Sequence, residues 1–182
     1  RAIPNLNVFR PADINETLDC WQIALESNNT PSAIALSRQK VPYINPNNSK
    51  KNKCKNGAYV VNITSHDSNV TLVASGTEVE LALKIQDKLK ENNIHSKVVS
   101  MPCMELFDIQ PEKYKRDLID EDSVIVTLEA GSISSWEKYI KNKGLNLGID
   151  QFGESAPYKE VYDHFHLTEE KITTFIQKKL RE

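Results

Sequence analysis

The stretch from Val70 to Met101, VTLVASGTEVELALKIQDKLKENNIHSKVVSM, constrains the fold more than any other part of the chain. Val70 to Ala74 is a short apolar run rich in β-branched residues, the pattern of a strand covered on both faces in a parallel sheet. Ser75-Gly76-Thr77 interrupts it with residues that turn easily, and Thr77-x-x-Glu80 has the side chains of a capping box at a helix start. Val79, Ala82, Leu83, Ile85 and Leu89 then recur at helical spacing until Asn92-Asn93, after which Lys97 to Met101 is a second β run. The unit predicted is strand–helix–strand with the first strand central. Such a crossover needs helices over the sheet, which implies an α/β domain of three layers.

At about 100–200 residues per domain, the 182 residues of the chain leave room for one complete domain and a piece of another. With 39% hydrophobic residues, 26% charged residues and a formal net charge of −2, the chain lacks the basic excess of a nucleic-acid binder. It contains no apolar run near the ~20 residues of a transmembrane helix and no signal peptide, so neither nucleic acid nor a membrane is expected as a partner. Cys20, Cys54 and Cys103 are odd in number and unpaired in spacing, as in a reduced, cytoplasmic protein. The start at Arg1, without an initiator Met, fits a piece of a longer protein.

Residues 1 to about 40 carry their own strand–helix–strand pattern. Asn5 to Phe9 is β-like, Asp13 and Glu16 stand at N-cap spacing, and Ile14, Leu18, Trp21 and Leu25 line one helical face. Ser32 to Leu36 is a second strand running into Ser37-Arg38-Gln39. Two strands and one helix bury too little apolar surface to stand alone, so this segment reads as the remnant of another α/β domain. Residues 42–56, with two prolines, several asparagines and Lys50, Lys51, Lys53 and Lys55, read as a linker; no aromatics interleave the lysines as in a nucleic-acid site. Beyond it come strands at Ala58 to Ile63, Ser123 to Leu128 and Leu145 to Ile149. Helices are predicted at Pro111 to Ile119, around Trp136 to Ile140, at Pro157 to Phe165 and at Glu169 to Leu180, the last two capped by Ser155 and Thr168.

Eight motifs follow one another in this order: RPAD (Arg10 to Asp13), ALSRQ (Ala35 to Gln39), NGAYV, ASGTEVELA (Ala74 to Ala82), VVSMP (Val98 to Pro102), LFDIQPEKY, LEAG (Leu128 to Gly131) and FGESAP (Phe152 to Pro157). Together they resemble the carboxyl-terminal part of the transketolase family, over nearly the whole chain. The departures are an aromatic Phe9 before RPAD, Lys40-Val41 after the Arg-Gln pair, and an enlarged Asn/Lys-rich linker. The resemblance implies that residues 1–41 are the end of the pyrimidine-binding domain, 42–56 a linker, and 57–182 the complete third domain. That third domain would be an α/β/α sandwich on a five-stranded mixed, mostly parallel sheet whose first strand is antiparallel. The family transfers a two-carbon ketol unit between sugar phosphates in the pentose phosphate pathway, using thiamine diphosphate and Mg2+ (or Ca2+) at a homodimer interface. Its diphosphate and metal site and its catalytic residues would lie upstream of Arg1, leaving no catalytic, cofactor-binding or metal residue here and an isolated chain that is inactive. The competing reading is a non-catalytic assembly or regulatory module of a related thiamine-diphosphate enzyme such as dihydroxyacetone synthase.

One substrate residue carries over by motif: Arg38, in Ser37-Arg38-Gln39, matches the family's arginine for the substrate phosphate. It lies just past the carboxyl end of an apolar strand, where open α/β sheets bind ligands, and its planar fork suits a phosphate. The alternative is a surface arginine paired with a carboxylate. Ser75, Gly76, Thr77 and Glu129 each sit between a strand and a helix and could line a crevice at the carboxyl edge of the third domain, although turn chemistry alone explains them. Arg10 and Asp13 read equally well as pairing and capping residues.

Overall fold

The computed structural model describes residues 1–44, 52–120, 122–140 and 144–182; residues 45–51 of the expected linker, with Lys50 and Lys51, lie outside them. In chain order the elements are β1 (Asn7–Phe9), α1 (Ile14–Glu26), β2 (Ser32–Ile34), a 3-10 turn (Cys54–Asn56), β3 (Tyr59–Ile63), β4 (Val70–Ala74), α2 (Glu78–Glu91) and β5 (Ser96–Ser100). There follow α3 (Met104–Asp108), α4 (Glu112–Leu118), β6 (Val124–Leu128), a 3-10 segment (Ile133–Tyr139), β7 (Leu145–Leu147), α5 (Tyr158–His164) and α6 (Glu169–Lys179). β1 and β2 pair in parallel as a sheet of two, and the other five strands form one sheet in the order β3-β5-β4-β6-β7. β4 is its centre, parallel to both neighbours, and β3 is antiparallel to β5.

Alternation along β4 divides the core. Val70, Leu72 and Ala74 face α2 and α6, packing on Val79, Ala82, Ile85, Leu89, Ile172 and Ile176, all essentially without solvent exposure. Val73 faces the other way with Val99 and Ile125, covered by Met104 and Phe107 of α3, Leu118 of α4 and Trp136. The result is three layers, with β4–α2–β5 as the crossover. Each fully buried Val, Leu or Ile stabilises by about 1.5–3 kcal/mol, so this interior dominates the fold.

Several local expectations differ. Thr77 is already helical (φ −61, ψ −22) and makes no side-chain cap; its hydroxyl turns instead to the Glu78 carboxylate at 2.6 Å. A capping side chain needs extended backbone, which this tight turn does not offer. The segment around Trp136 is 3-10, not α; Ser132, Ser134 and Ser135 dominate its first turn, and serines compete with helical backbone bonds. Pro157, not Ser155, precedes α5, and Thr168 makes no side-chain cap bond. The apolar stripe of α1 exists but faces outward: Leu18 is 62% and Leu25 77% exposed, because a two-stranded sheet cannot cover it. The far end of the expected linker is built into the fold, with Cys54 fully buried and the Lys53 amide donating to the Asp19 carboxylate at 2.9 Å.

Candidate functional site

Three positions after Pro11, α1 begins at Ile14 with the cap that its sequence contains. Asp13 is extended and its Oδ1 accepts from the Glu16 amide at 2.8 Å, while Glu16 Oε2 accepts from the Ala12 amide at 2.7 Å. Glu16 is buried against the larger domain, where its Oε1 also accepts from the Tyr59 hydroxyl at 2.8 Å and the Ser100 hydroxyl at 2.6 Å. Burial pushes its pKa above the ordinary value, against the pull of those hydrogen bonds. Cys20, on the same face of α1, is buried with Phe9, Cys54 and Cys103. Thus α1 docks by its polar and thiol face.

Arg10 leaves β1 and enters the edge of the larger sheet. Its amide donates to the Pro102 carbonyl at 2.8 Å, and its carbonyl accepts from the Gly76 amide at 2.9 Å. Gly76 stands at φ +62, a left-handed turn that favours glycine and brings its backbone under the guanidinium. That guanidinium pairs with two carboxylates of the larger domain, Glu78 at 3.1 Å and Glu129. Glu78 has no exposed surface and accepts further from the hydroxyls of Thr77 and Tyr162, each at 2.6 Å. Glu129 also receives Arg1 Nη1 at 2.5 Å and the Trp136 indole N–H. Burial, and then the Glu78 carboxylate, push the Tyr162 hydroxyl above its ordinary pKa, so it remains a neutral donor. Both carboxylates therefore have donors on each side, the condition under which buried charge is tolerated.

Arg38 lies beside this cluster. It is exposed, on the loop leaving β2, and it lines a cavity of about 220 Å³ with Arg10, Gly76, Thr77, Glu78 and Tyr162. Among the described residues its guanidinium has no hydrogen bond or ion pair, so the carboxylate partner of the alternative reading is absent there. A second cavity of about 380 Å³ adjoins, sharing Gln39, Thr77 and Tyr162. The structure brings Arg38, Gly76 and Thr77 to one cavity. Ser75 and Glu129 lie behind it: the Ser75 hydroxyl accepts from Arg1 at 3.2 Å, and Glu129 is occupied by the two arginines and Trp136. A guanidinium without a protein partner among the described residues, that of Arg38, can attract and orient an oxyanion at such a hollow, while the charge of Arg10 is met by Glu78 and Glu129. Sequence reasoning missed Glu78, which reads as a first-turn acid of α2, and Tyr162, whose partner is 84 positions away. Among the described residues no group of three His, Cys, Asp or Glu could hold a metal ion, and no helix is long and apolar enough to cross a membrane.

Two family models match the chain. The Transketolase-like TK C-terminal domain covers residues 57–168, and the Transketolase, pyrimidine binding domain covers residues 1–43. The chain belongs to the transketolase family. It is 41% identical to the transketolase of Sinorhizobium medicae over 94% of its own length and 25% of that relative's, and 39% identical to the chloroplastic transketolase of Solanum tuberosum over 94% and 23%. The chain thus spans about a quarter of the length of these transketolases. Among solved structures, transketolase from Pichia stipitis in complex with sedoheptulose-7-phosphate superposes with a TM-score of 0.90 at 33% identity, over 100% of this chain and 26% of that one. Transketolase from Campylobacter jejuni does so with 0.88 at 38%, over 98% and 27%.

Proposed function

We propose that these residues serve as the carboxyl-terminal part of a transketolase, in which Arg38 holds the phosphate of the sugar substrate. The observation that carries the reading is Arg38 itself: an exposed guanidinium without a protein partner among the described residues, at the carboxyl end of β2 and facing a cavity it shares with a second arginine. Relatives from Pichia stipitis bind fructose-6-phosphate and sedoheptulose-7-phosphate, which agrees with a phosphate as the group held. In this reading residues 1–41 end the pyrimidine-binding domain, 42–56 link, and 57–182 form the third domain. The protein is a cytoplasmic homodimer acting in the pentose phosphate pathway.

Thiamine diphosphate with a divalent metal would supply the carbanion chemistry of ketol transfer. The described residues offer no carboxylate, histidine or cysteine cluster fit for the metal, so no step is assigned to the cofactor on this chain. What these residues do is bind and orient: Arg38 fixes the remote phosphate, and the rigid sheet edge behind it holds the loop still. Remote binding of this kind contributes to rate by positioning the reacting carbon. The test is a ketol-transfer assay with thiamine diphosphate and magnesium on the full-length polypeptide and on residues 1–182 alone. Transfer by the long form with silence of the short one supports the reading; transfer by the short form overturns it.

A further inference from the structure

Resting on that reading of Arg38, we infer that the third domain positions the phosphate-binding loop, through Glu78 and Glu129 acting on Arg10. The loop from Ala35 to Gln39 has few anchors of its own. Beyond the ladder, Ala35 donates to the Phe9 carbonyl at 2.9 Å, and among the described residues the side-chain bonds of the loop run only between Ser37 and Gln39. Its place therefore follows the carboxyl end of β1, and the next residue in the chain is Arg10.

Arg10 is fixed almost wholly by the larger domain. Its backbone is bonded at both ends, to Pro102 and to Gly76, and its side chain is divided between Glu78 and Glu129. Those two acids come from separate elements, Glu78 at the start of α2, which follows the central strand β4, and Glu129 directly after the neighbouring strand β6. A fork held by two carboxylates on separate elements has one orientation, whereas a fork held by one can swing. The Tyr162 hydroxyl holds Glu78 from a third element, α5. Of the residues that grip Arg10, Gly76 and Glu78 line the Arg38 cavity together with Tyr162, and Glu129 lies behind it. An assembly domain would grip its neighbour at any convenient surface; this one grips it at the wall of the cavity that Arg38 lines. Glu78 and Glu129 are positioning residues: their carboxylates are taken by protein donors, and they act through Arg10 and the loop.

The experiment measures kcat/KM in the full-length protein for a phosphorylated and an unphosphorylated acceptor aldose. The variants are Arg38→Ala, Glu78→Gln, Glu129→Gln and the double variant Arg38→Ala with Glu129→Gln. The ratio between the two acceptors should fall about two- to thirtyfold in each Gln variant, the span of coupling through a contact network. It should fall no further in the double variant than in Arg38→Ala. General loss of structure lowers both acceptors together and leaves the ratio in place. If Arg38→Ala collapses the ratio while both Gln variants keep the wild-type value, the positioning inference fails and the phosphate reading stands. If Arg38→Ala itself leaves the ratio unchanged, the phosphate reading fails. Should either Gln variant not fold, Tyr162→Phe, which removes a single hydroxyl from Glu78, carries the test: a lowered ratio supports positioning and an unchanged one refutes it.

Discussion

Replacing Arg10 by Ala should unlock the smaller unit from the larger sheet, and the structure gives the size of the effect. The substitution removes ion pairs to Glu78 and Glu129. At about 1.5–3 kcal/mol for each hydrogen bond to a charged group, the two together reach about 3–6 kcal/mol, and breaking a buried pair costs about 3–5 kcal/mol. Two features pull the value down. Glu78 keeps the hydroxyls of Thr77 and Tyr162, and Glu129 keeps Arg1 and Trp136, so neither acid is left bare. The Arg10 side chain is also 20% exposed, which lets water replace part of what is lost. The expected loss is about 3 kcal/mol. In urea unfolding, with a slope of about 2–3 kcal/mol/M, the midpoint should fall by about 1–1.5 M. Arg10→Lys should lose less, because an ammonium keeps the charge and reaches one carboxylate. A loss under about 0.5 kcal/mol is the figure for an exposed pair and would refute the idea of a buried clamp.

Gly57→Ala should be among the most damaging single substitutions: Gly57 has φ +80, and a Cβ there would stand 2.2 Å from the Phe107 amide nitrogen and 2.4 Å from the Cys103 carbonyl oxygen. A loss above about 3 kcal/mol in urea unfolding is expected, and near-wild-type stability would contradict the packing. Glu16 gives a pH prediction. Because burial raises its pKa in the folded chain, its share of stability is full below the ordinary carboxylate range and declines as pH rises through the raised value. Glu16→Gln should therefore flatten the change in unfolding free energy between about pH 5 and about pH 8, as read by urea unfolding at each pH. The thiols should resist a disulfide reagent in the native state: all three are buried, Cys103 is pushed up to about 12, and Cys54, hydrogen-bonded to Cys20, also lies well above the usual range. Rapid native labelling would refute their burial.

The larger domain was legible where one pattern determines one structure. Val70 to Ala74 reads as a doubly covered strand and is the central strand, and Val79, Ala82, Ile85 and Leu89 of the predicted α2 face are buried on it, with Leu83 partly so. The resemblance also carried the antiparallel β3. Legibility failed where a residue has two physical uses. Thr77 and Glu80 have capping chemistry, yet Thr77 turns to Glu78, and Glu80 pairs with Lys84. An apolar stripe specifies a face and not a partner, so the outward direction of Ile14, Leu18, Trp21 and Leu25 was not written in their spacing. The motif singled out Arg38, and Arg10 was read as a pairing residue, but the partners of Arg10 were not legible: Arg10, Glu78 and Tyr162 meet across separations of 68 and 84 positions. Only the closing of the sheet brings them together.

The most direct test of the central claim is the ratio of kcat/KM for a phosphorylated over an unphosphorylated acceptor, in the full-length protein with Arg38 and with Arg38→Ala. The account predicts that the phosphorylated acceptor loses about 1.5–3 kcal/mol of transition-state stabilisation, roughly 10- to 150-fold, while the unphosphorylated one loses far less. Arg38→Lys should fall between, since an ammonium retains charge without the planar fork. An equal fall for both acceptors would contradict the account and leave Arg38 a structural residue.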